Sequence, residues 1–169
     1  MIHLQQAKCK SNIKPRMYKI REALPDDIQS IVSFQKNMAL ETENLILDSD
    51  ILTSGVESVF RFPDKGRYFV ACTDQDVIAS LMITYEWSDW RNRTIFWIQS
   101  VYVLPEHRRR GVYASLYQHI RKLAEADTNI GGIRLYVDRT NLTAQATYAS
   151  LGMNGEHYQV FEWMKESND

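Results

Sequence analysis

One stretch, Ile98 to Ala114, limits what this chain can fold into more than any other. It lies partly within Thr94–Leu104, a long strand-like run that is apolar on both faces apart from Gln99 and Ser100. Such a strand must run through the middle of a sheet that is covered above and below. Pro105 breaks its pairing, because proline has no N–H to give. Gly111 then opens an amphipathic helix to Ala126, with Val112, Leu116, Ile120 and Leu123 on one stripe. At 169 residues and 19.8 kDa the chain is long enough to bury one sizeable core around such a strand.

The flanking sequence alternates strand and helix signals. Tyr18–Glu22 reads as a first strand. Leu24-Pro25-Asp26-Asp27 is a helix start, with proline and two acids at the positive end of the dipole. Ile28, Ile31, Val32 and Gln35 follow helical spacing, and a second helix is expected from Asp48 to Phe60, ended by Pro63-Asp64-Lys65-Gly66. Tyr68–Thr73 and Val77–Tyr85 are strands separated by Asp74-Gln75-Asp76, hence a hairpin. Glu86–Arg93 reads as a polar, aromatic-studded loop. After the long helix, Gly131-Gly132 leads into a strand at Ile133–Val137, then a helix from Asn141 to Leu151 stopped by Gly152. Val160–Met164 reads as a last strand. The whole is a single mixed α/β domain with a hairpin half and a crossover half.

Composition narrows the function. A hydrophobic fraction of 44% and a charged fraction of 24% are those of a folded globular protein. No run reaches the ~18 apolar residues of a membrane span, so no membrane partner is expected. Residues 1–16 carry Lys8, Lys10, Lys14 and Arg16 with no acid, and read as a basic, flexible tail ahead of a domain at 17–169; Met17 is an alternative start. The remainder holds sixteen cations against twenty-one acids, a net of -5, which argues against nucleic acid and suits a cationic or small neutral partner. Cys9 and Cys72 are too few for a disulfide framework or a four-ligand zinc site, and no secretory signal core is visible; a cytoplasmic setting is expected. His3, His107, His119 and His157 show no metal-ligand spacing.

The chemistry sits where the central strand gives way to the helix. Backbone amides and the helix dipole at such a junction favour an anion. Arg108, Arg109 and Arg110 add positive charge, and Gly111 allows a phosphate close to the main chain. Taken alone, three arginines in a turn are as well explained by a solvated surface. Neither the three-glycine dinucleotide fingerprint nor a P-loop occurs.

The segment Val103-Leu104-Pro105-Glu106-His107-Arg108-Arg109-Arg110-Gly111-Val112 resembles the signature of the GNAT superfamily of N-acetyltransferases, with Tyr113 where that family has glycine or alanine and small Ala114 after it. Asn141-Leu142-Thr143-Ala144, continuing to Tyr148, Gly152 and Met153, is similar to the family's later motif, and Ile20-Arg21-Glu22-Ala23 with Asp27 to its opening. The resemblance spans 17–164 in order. It implies a mixed, mostly antiparallel twisted sheet flanked by helices, with a bulged central strand at 94–104 that splays from the strand at 133–137. It implies acetyl-CoA as co-substrate, held by main chain at Val101, Tyr102 and Val103, by Arg108, by amides from Arg109 through Gly111, Val112 and Tyr113 to Ala114, and by Asn141. One N–H near Val101 or Tyr102 would face the thioester carbonyl. Tyr148 would be the general acid that protonates the departing thiolate; the alternative is a packing residue against Ala144 and Leu151.

Acceptor choice is read from Tyr85–Asn92. Trp87 and Trp90 among Glu86 and Asp89 suit an organic cation, similar to the strand connection of spermidine/spermine acetyltransferases, although the tryptophans could equally cap a sheet edge or a dimer interface. Polyamine members carry an acid where this chain has Gln99, so a general base would be Glu86 or Asp89, unless both are ordinary loop acids. The expected activity is acetyl transfer to a small primary amine or polyamine. Protein N-terminal or lysine acetylation, and a non-catalytic CoA-binding sensor, are the alternatives; homodimerisation is a tendency of the family.

Overall fold

The structure, a computed structural model, describes residues 18–165; the tail expected at 1–16 lies outside the described residues. Strand β1 (Lys19–Glu22) leads through a 3-10 turn at Pro25–Asp27 into helix α1 (Ile28–Glu43) and then α2 (Ser49–Arg61). Strands β2 (Arg67–Cys72), β3 (Val77–Ser88) and β4 (Arg93–Val103) follow as hairpins, then α3 (Val112–Ala126), β5 (Ile130–Leu135) and α4 (Leu142–Ser150). The described strands form one sheet in the order β1-β2-β3-β4-β5. Its first three pairings are antiparallel and β4–β5 is parallel, with α3 as the crossover.

Alternation along β2 shows how the layers are built. Tyr68 and Val70 pack with Ile31, Val32 and Val56 of α1 and α2 on one face. Phe69 and Ala71 pack with Leu116, Tyr117 and Ile120 of α3 on the other. The central strand is thus covered on both sides, as its composition requires. Leu116, Ile120 and Ile31 are fully buried, each contributing about 2 kcal/mol by burial.

Three expectations are corrected. Residues 86–88 are strand: Glu86↔Ile95, Trp87↔Thr94 and Ser88↔Arg93 stay in register, because a ladder can project beyond the core on main-chain bonds alone. Strand β5 starts earlier, at Ile130, and ends at Leu135. Residues 152–165 contain no strand, and Tyr158, Val160, Phe161, Trp163 and Met164 are exposed. Their composition favours a strand, but no ladder partner lies against them.

The junction between β1 and α1 holds a buried carboxylate. Asp27 receives two bonds from the Arg21 guanidinium, at 2.6 and 2.9 Å, and a third from the Leu24 N–H at 2.7 Å. Burial works against its charge, but Arg21 and Leu24 together outweigh it and hold the carboxyl below the usual carboxylate range. A depressed pKa in the folded state means stability that is present above the unfolded value and is lost as pH falls through the folded one. Asp27→Asn is therefore expected to lower stability by about 2 kcal/mol near neutral pH, read as a lower urea midpoint, with the difference from wild type shrinking in acid.

Candidate active site

Ser100 and Val101 of β4 together face the single residue Leu81 of β3, since Gln99 pairs with Met82 and Tyr102 with Ser80. This is a β-bulge, and Ser100 takes the left-handed backbone, with φ of 53°. One extra residue reverses the alternation of everything after it. Before the bulge, Phe96 and Ile98 belong to the α3 side; after it, Val101 and Val103 do. Tyr102 is turned to α1, where it stacks on Phe34 at 5.5 Å.

The bulge coincides with a parting of the sheet. The last β4–β5 pair is Ile98↔Leu135. Beyond it Gln99, Tyr102 and Val103 keep their β3 partners and have none on the β5 side. Leu104 gives its N–H to Ile78, so alternation turns the main-chain groups of Val103 toward the opening. The Val103 carbonyl there is already taken by Arg108 Nε, at 2.8 Å. What remains is a short open strand edge inside the molecule.

The turn beyond β4 is held from α1. Glu41 accepts from the Tyr102 hydroxyl and from Arg108, both at 2.7 Å, and the Arg108 guanidinium lies over the Tyr102 ring at 5.2 Å. The Tyr102 bond and then Arg108 keep the Glu41 carboxyl below its ordinary range despite some burial. Arg108 thus anchors the turn and does not point its charge into it. Arg109 and Arg110 are exposed, and Arg109 is left-handed with φ of 60°. Gly111 is the N-cap of α3 with φ of 78°, a conformation that costs other residues about 1–2 kcal/mol. Tyr18 donates its hydroxyl to the Arg110 carbonyl at 3.3 Å. The free amides of the first α3 turn and two arginines make a site fit for an anion.

Tyr148 stands on α4, half-buried, in an edge-on contact with Tyr113 at 5.5 Å between ring centres. Burial raises the Tyr148 phenol above its ordinary value, and Tyr113 beside it works the other way. Tyr113 fills the space between α3 and α4, its hydroxyl buried beside that of Tyr148. Asn141 caps α4, accepting from the Ala144 N–H at 3.0 Å. Val112 is buried and Ala114 half-buried in the same first turn of α3.

The expected acceptor residues lie elsewhere. Glu86 is bound by Trp97 Nε1 and by Arg134, which commits both of its oxygens. Asp89 accepts from the Trp90 N–H at the hairpin tip, where Trp87 and Trp90 are exposed. From Arg93 at that tip to Val101 the strand runs about 26 Å. The structure does not bring these four residues to the opening. Gln99 is nearer, donating to Thr84 Oγ1 at 2.6 Å.

None of the residues that face the opening from α1 is among the site residues expected above, and Gln35 appears there only as part of the helix stripe. Met38, Glu41 and Thr42 line a hollow of about 280 Å3 with Val101, Tyr102, Val103 and Arg108. Gln35, 5% exposed, donates to the Ser100 carbonyl at 3.3 Å. Two signals mark them in the sequence. Gln35 is polar on a helix stripe otherwise made of Ile28, Ile31 and Val32, and Glu41 is an acid in the last turn of α1, where the dipole disfavours it.

The sequence pattern described as "Acetyltransferase (GNAT) family" matches residues 28–153. A crystal structure of a possible acetyltransferase from Clostridium difficile 630 superposes with a TM-score of 0.82 at 44% identity, over 89% of this chain and 99% of that one. A transcriptional regulator from Bacillus halodurans C-125 superposes at 0.74 with 17% identity, over 87% and 99%. An aminoglycoside acetyltransferase from an uncultured soil metagenomic sample, in complex with sisomicin, superposes at 0.70 with 15% identity, over 89% and 97%. The last two likenesses are of fold only. No curated protein matches the chain.

Proposed function

This chain belongs to the GNAT family of acetyltransferases, and from that premise we propose that it moves an acetyl group from acetyl-CoA to a primary amine on a small molecule. One observation carries the reading: the stretch of β4 from Gln99 to Val103 that has no β5 partner, next to the anion-ready start of α3. An extended amide-bearing arm pairs with a free strand edge as a strand would, and a pyrophosphate suits the α3 amides with Arg109 and Arg110. The residues present therefore fit acetyl-CoA, which when bound supplies the activated acetyl group.

Val101 and the N–H of Val103 orient the arm. Arg108, pinned to Glu41, keeps the phosphate turn in place. Tyr148 holds a proton at its phenol oxygen and gives it to the sulfur as the acyl–sulfur bond breaks. A free thiol titrates near 8.5 and a phenol near 10, so this transfer is uphill by itself. The proton that the nitrogen sheds as the amide forms returns through solvent to the Tyr148 oxygen, which restores the phenol in each turnover and draws the transfer forward.

The hollow between α1 and β4 receives the acceptor. Its modest size suits a small molecule, and Glu41 lines it as half of an ion pair with Arg108, a polar wall with no net charge. Glu41 shares its oxygens with Tyr102 and Arg108 and is held ionised, so it orients the acceptor and is too weak a base to deprotonate it. On the size of the hollow, a small amine is the acceptor class we propose.

Thiol release from acetyl-CoA, measured against diamines, polyamines, aminoglycosides, amino acids and short peptides, tests the reading; turnover with a small amine is expected, and silence across the panel rejects it. Tyr148→Phe should lower kcat about a hundredfold with the acetyl-CoA dissociation constant unchanged. The wild-type rate should hold into alkaline solution and fall only as pH rises through the raised Tyr148 value, a limb missing in the variant. Replacing Arg109 and Arg110 by alanine should weaken acetyl-CoA binding about tenfold, more so at low ionic strength.

A further inference from the structure

Gln35 is a buried amide on the face of α1 that otherwise packs Ile31, Val32 and Phe34 into the core. A polar side chain there is costly unless it is bonded. Its Nε2 reaches across 65 residues of sequence to the carbonyl oxygen of Ser100, at 3.3 Å. A carbonyl can only accept, so the group facing it must be the amide N–H2. Ser100 is the left-handed residue of the bulge, a backbone state that persists only where its surroundings enforce it.

The peptide that joins Ser100 to Val101 is trans, so its C=O and N–H point in opposite directions. A donor fixed on the carbonyl side therefore sets the direction of the Val101 N–H on the other side. A carbonyl that accepts a hydrogen bond also makes the N–H of the same peptide a stronger donor. Val101 lies in the stretch of β4 that has no β5 partner.

We infer that Gln35 is a positioning residue for acetyl transfer: by holding the Ser100 carbonyl it fixes the peptide plane that aims the Val101 N–H at the acyl oxygen. The inference rests on the acetyl-transfer reading above. A fixed donor at an oxygen that gains charge acts on the rate more than on binding. Gln35 touches no reacting atom, and its effect passes wholly through the Ser100–Val101 peptide.

The test uses the full chain and acetyl-CoA labelled with 13C at the acetyl carbonyl. On wild-type protein the infrared carbonyl band should lie below that of free acetyl-CoA. In Gln35→Met, which keeps the bulk and cannot donate, the band should move back toward the free position. Turnover with the amine found above should fall about 10- to 100-fold, with acetyl-CoA affinity nearly unchanged. Gln35→Glu adds a reversal: ionised, it cannot donate to Ser100, so both band shift and rate should return as pH falls through the pKa of the new carboxyl. A displaced band in wild type that Gln35→Met leaves in place overturns the inference and spares the acetyl-transfer reading. Failure of the wild-type chain to bind acetyl-CoA overturns both. If Gln35→Met does not fold, Gln35→Glu decides, and a band that stays put across pH rejects the role.

Discussion

Two residues of β4 set against one of β3 decide which face of the sheet every later side chain of that strand occupies. Without the bulge at Ser100 and Val101, Tyr102 would point at α3, and Val101 and Val103 at α1. Tyr102 could not then stack on Phe34 or reach Glu41. The same local kink begins two residues past the last β4–β5 pair, where the parallel strands part. A change of register in one strand thus places the opening, the aromatic wall and the anchor of the turn together.

Helix α1 joins what the bulge exposes. Gln35 and Glu41 sit on one helix and hold two different parts of the β4–α3 connection: the bulge carbonyl and the guanidinium of the turn. Both bonds cross more than sixty residues of sequence, so neither could be formed by the crossover itself. The left-handed residues Ser100 and Arg109 lie close to these two clamps. Strained backbone needs outside support, and α1 supplies it.

Much of this was legible in the chain. The doubly apolar run before Pro105 required a covered central strand, and the helix stripe after Gly111 required a layer against it; Leu116 and Ile120 are fully buried. The signature around Arg108 to Gly111 marked the junction where the structure has its exposed helix start. Side-chain duties were less legible, because they depend on partners far away in sequence. Arg108 reads as a phosphate ligand until Glu41 is seen beside it. Glu86 reads as a loop acid or a base until Trp97 and Arg134 are seen to hold it. The tryptophans of the β3–β4 hairpin read as an acceptor site because sequence proximity to the central strand says nothing of which end of that strand they reach. The last apolar run, 160–164, has strand composition without a neighbouring edge, and composition alone does not supply one.

Sheet proteins ordinarily have to guard their outer strands, since unpaired main-chain groups there will accept any passing strand, including that of another molecule. The parting of β4 from β5 moves such a sticky row indoors. Helix α3 covers one face of β4 there and α1 the other, through Phe34 and Gln35. A neighbouring protein's strand comes with side chains and a sheet behind it, and the helices that cover β4 on both faces stand in the way of that sheet. A thin, flexible chain that carries amides and little else can enter. The geometry that leaves these hydrogen-bonding groups free for use also keeps them away from the outer edge of the sheet, where pairing between molecules ordinarily starts.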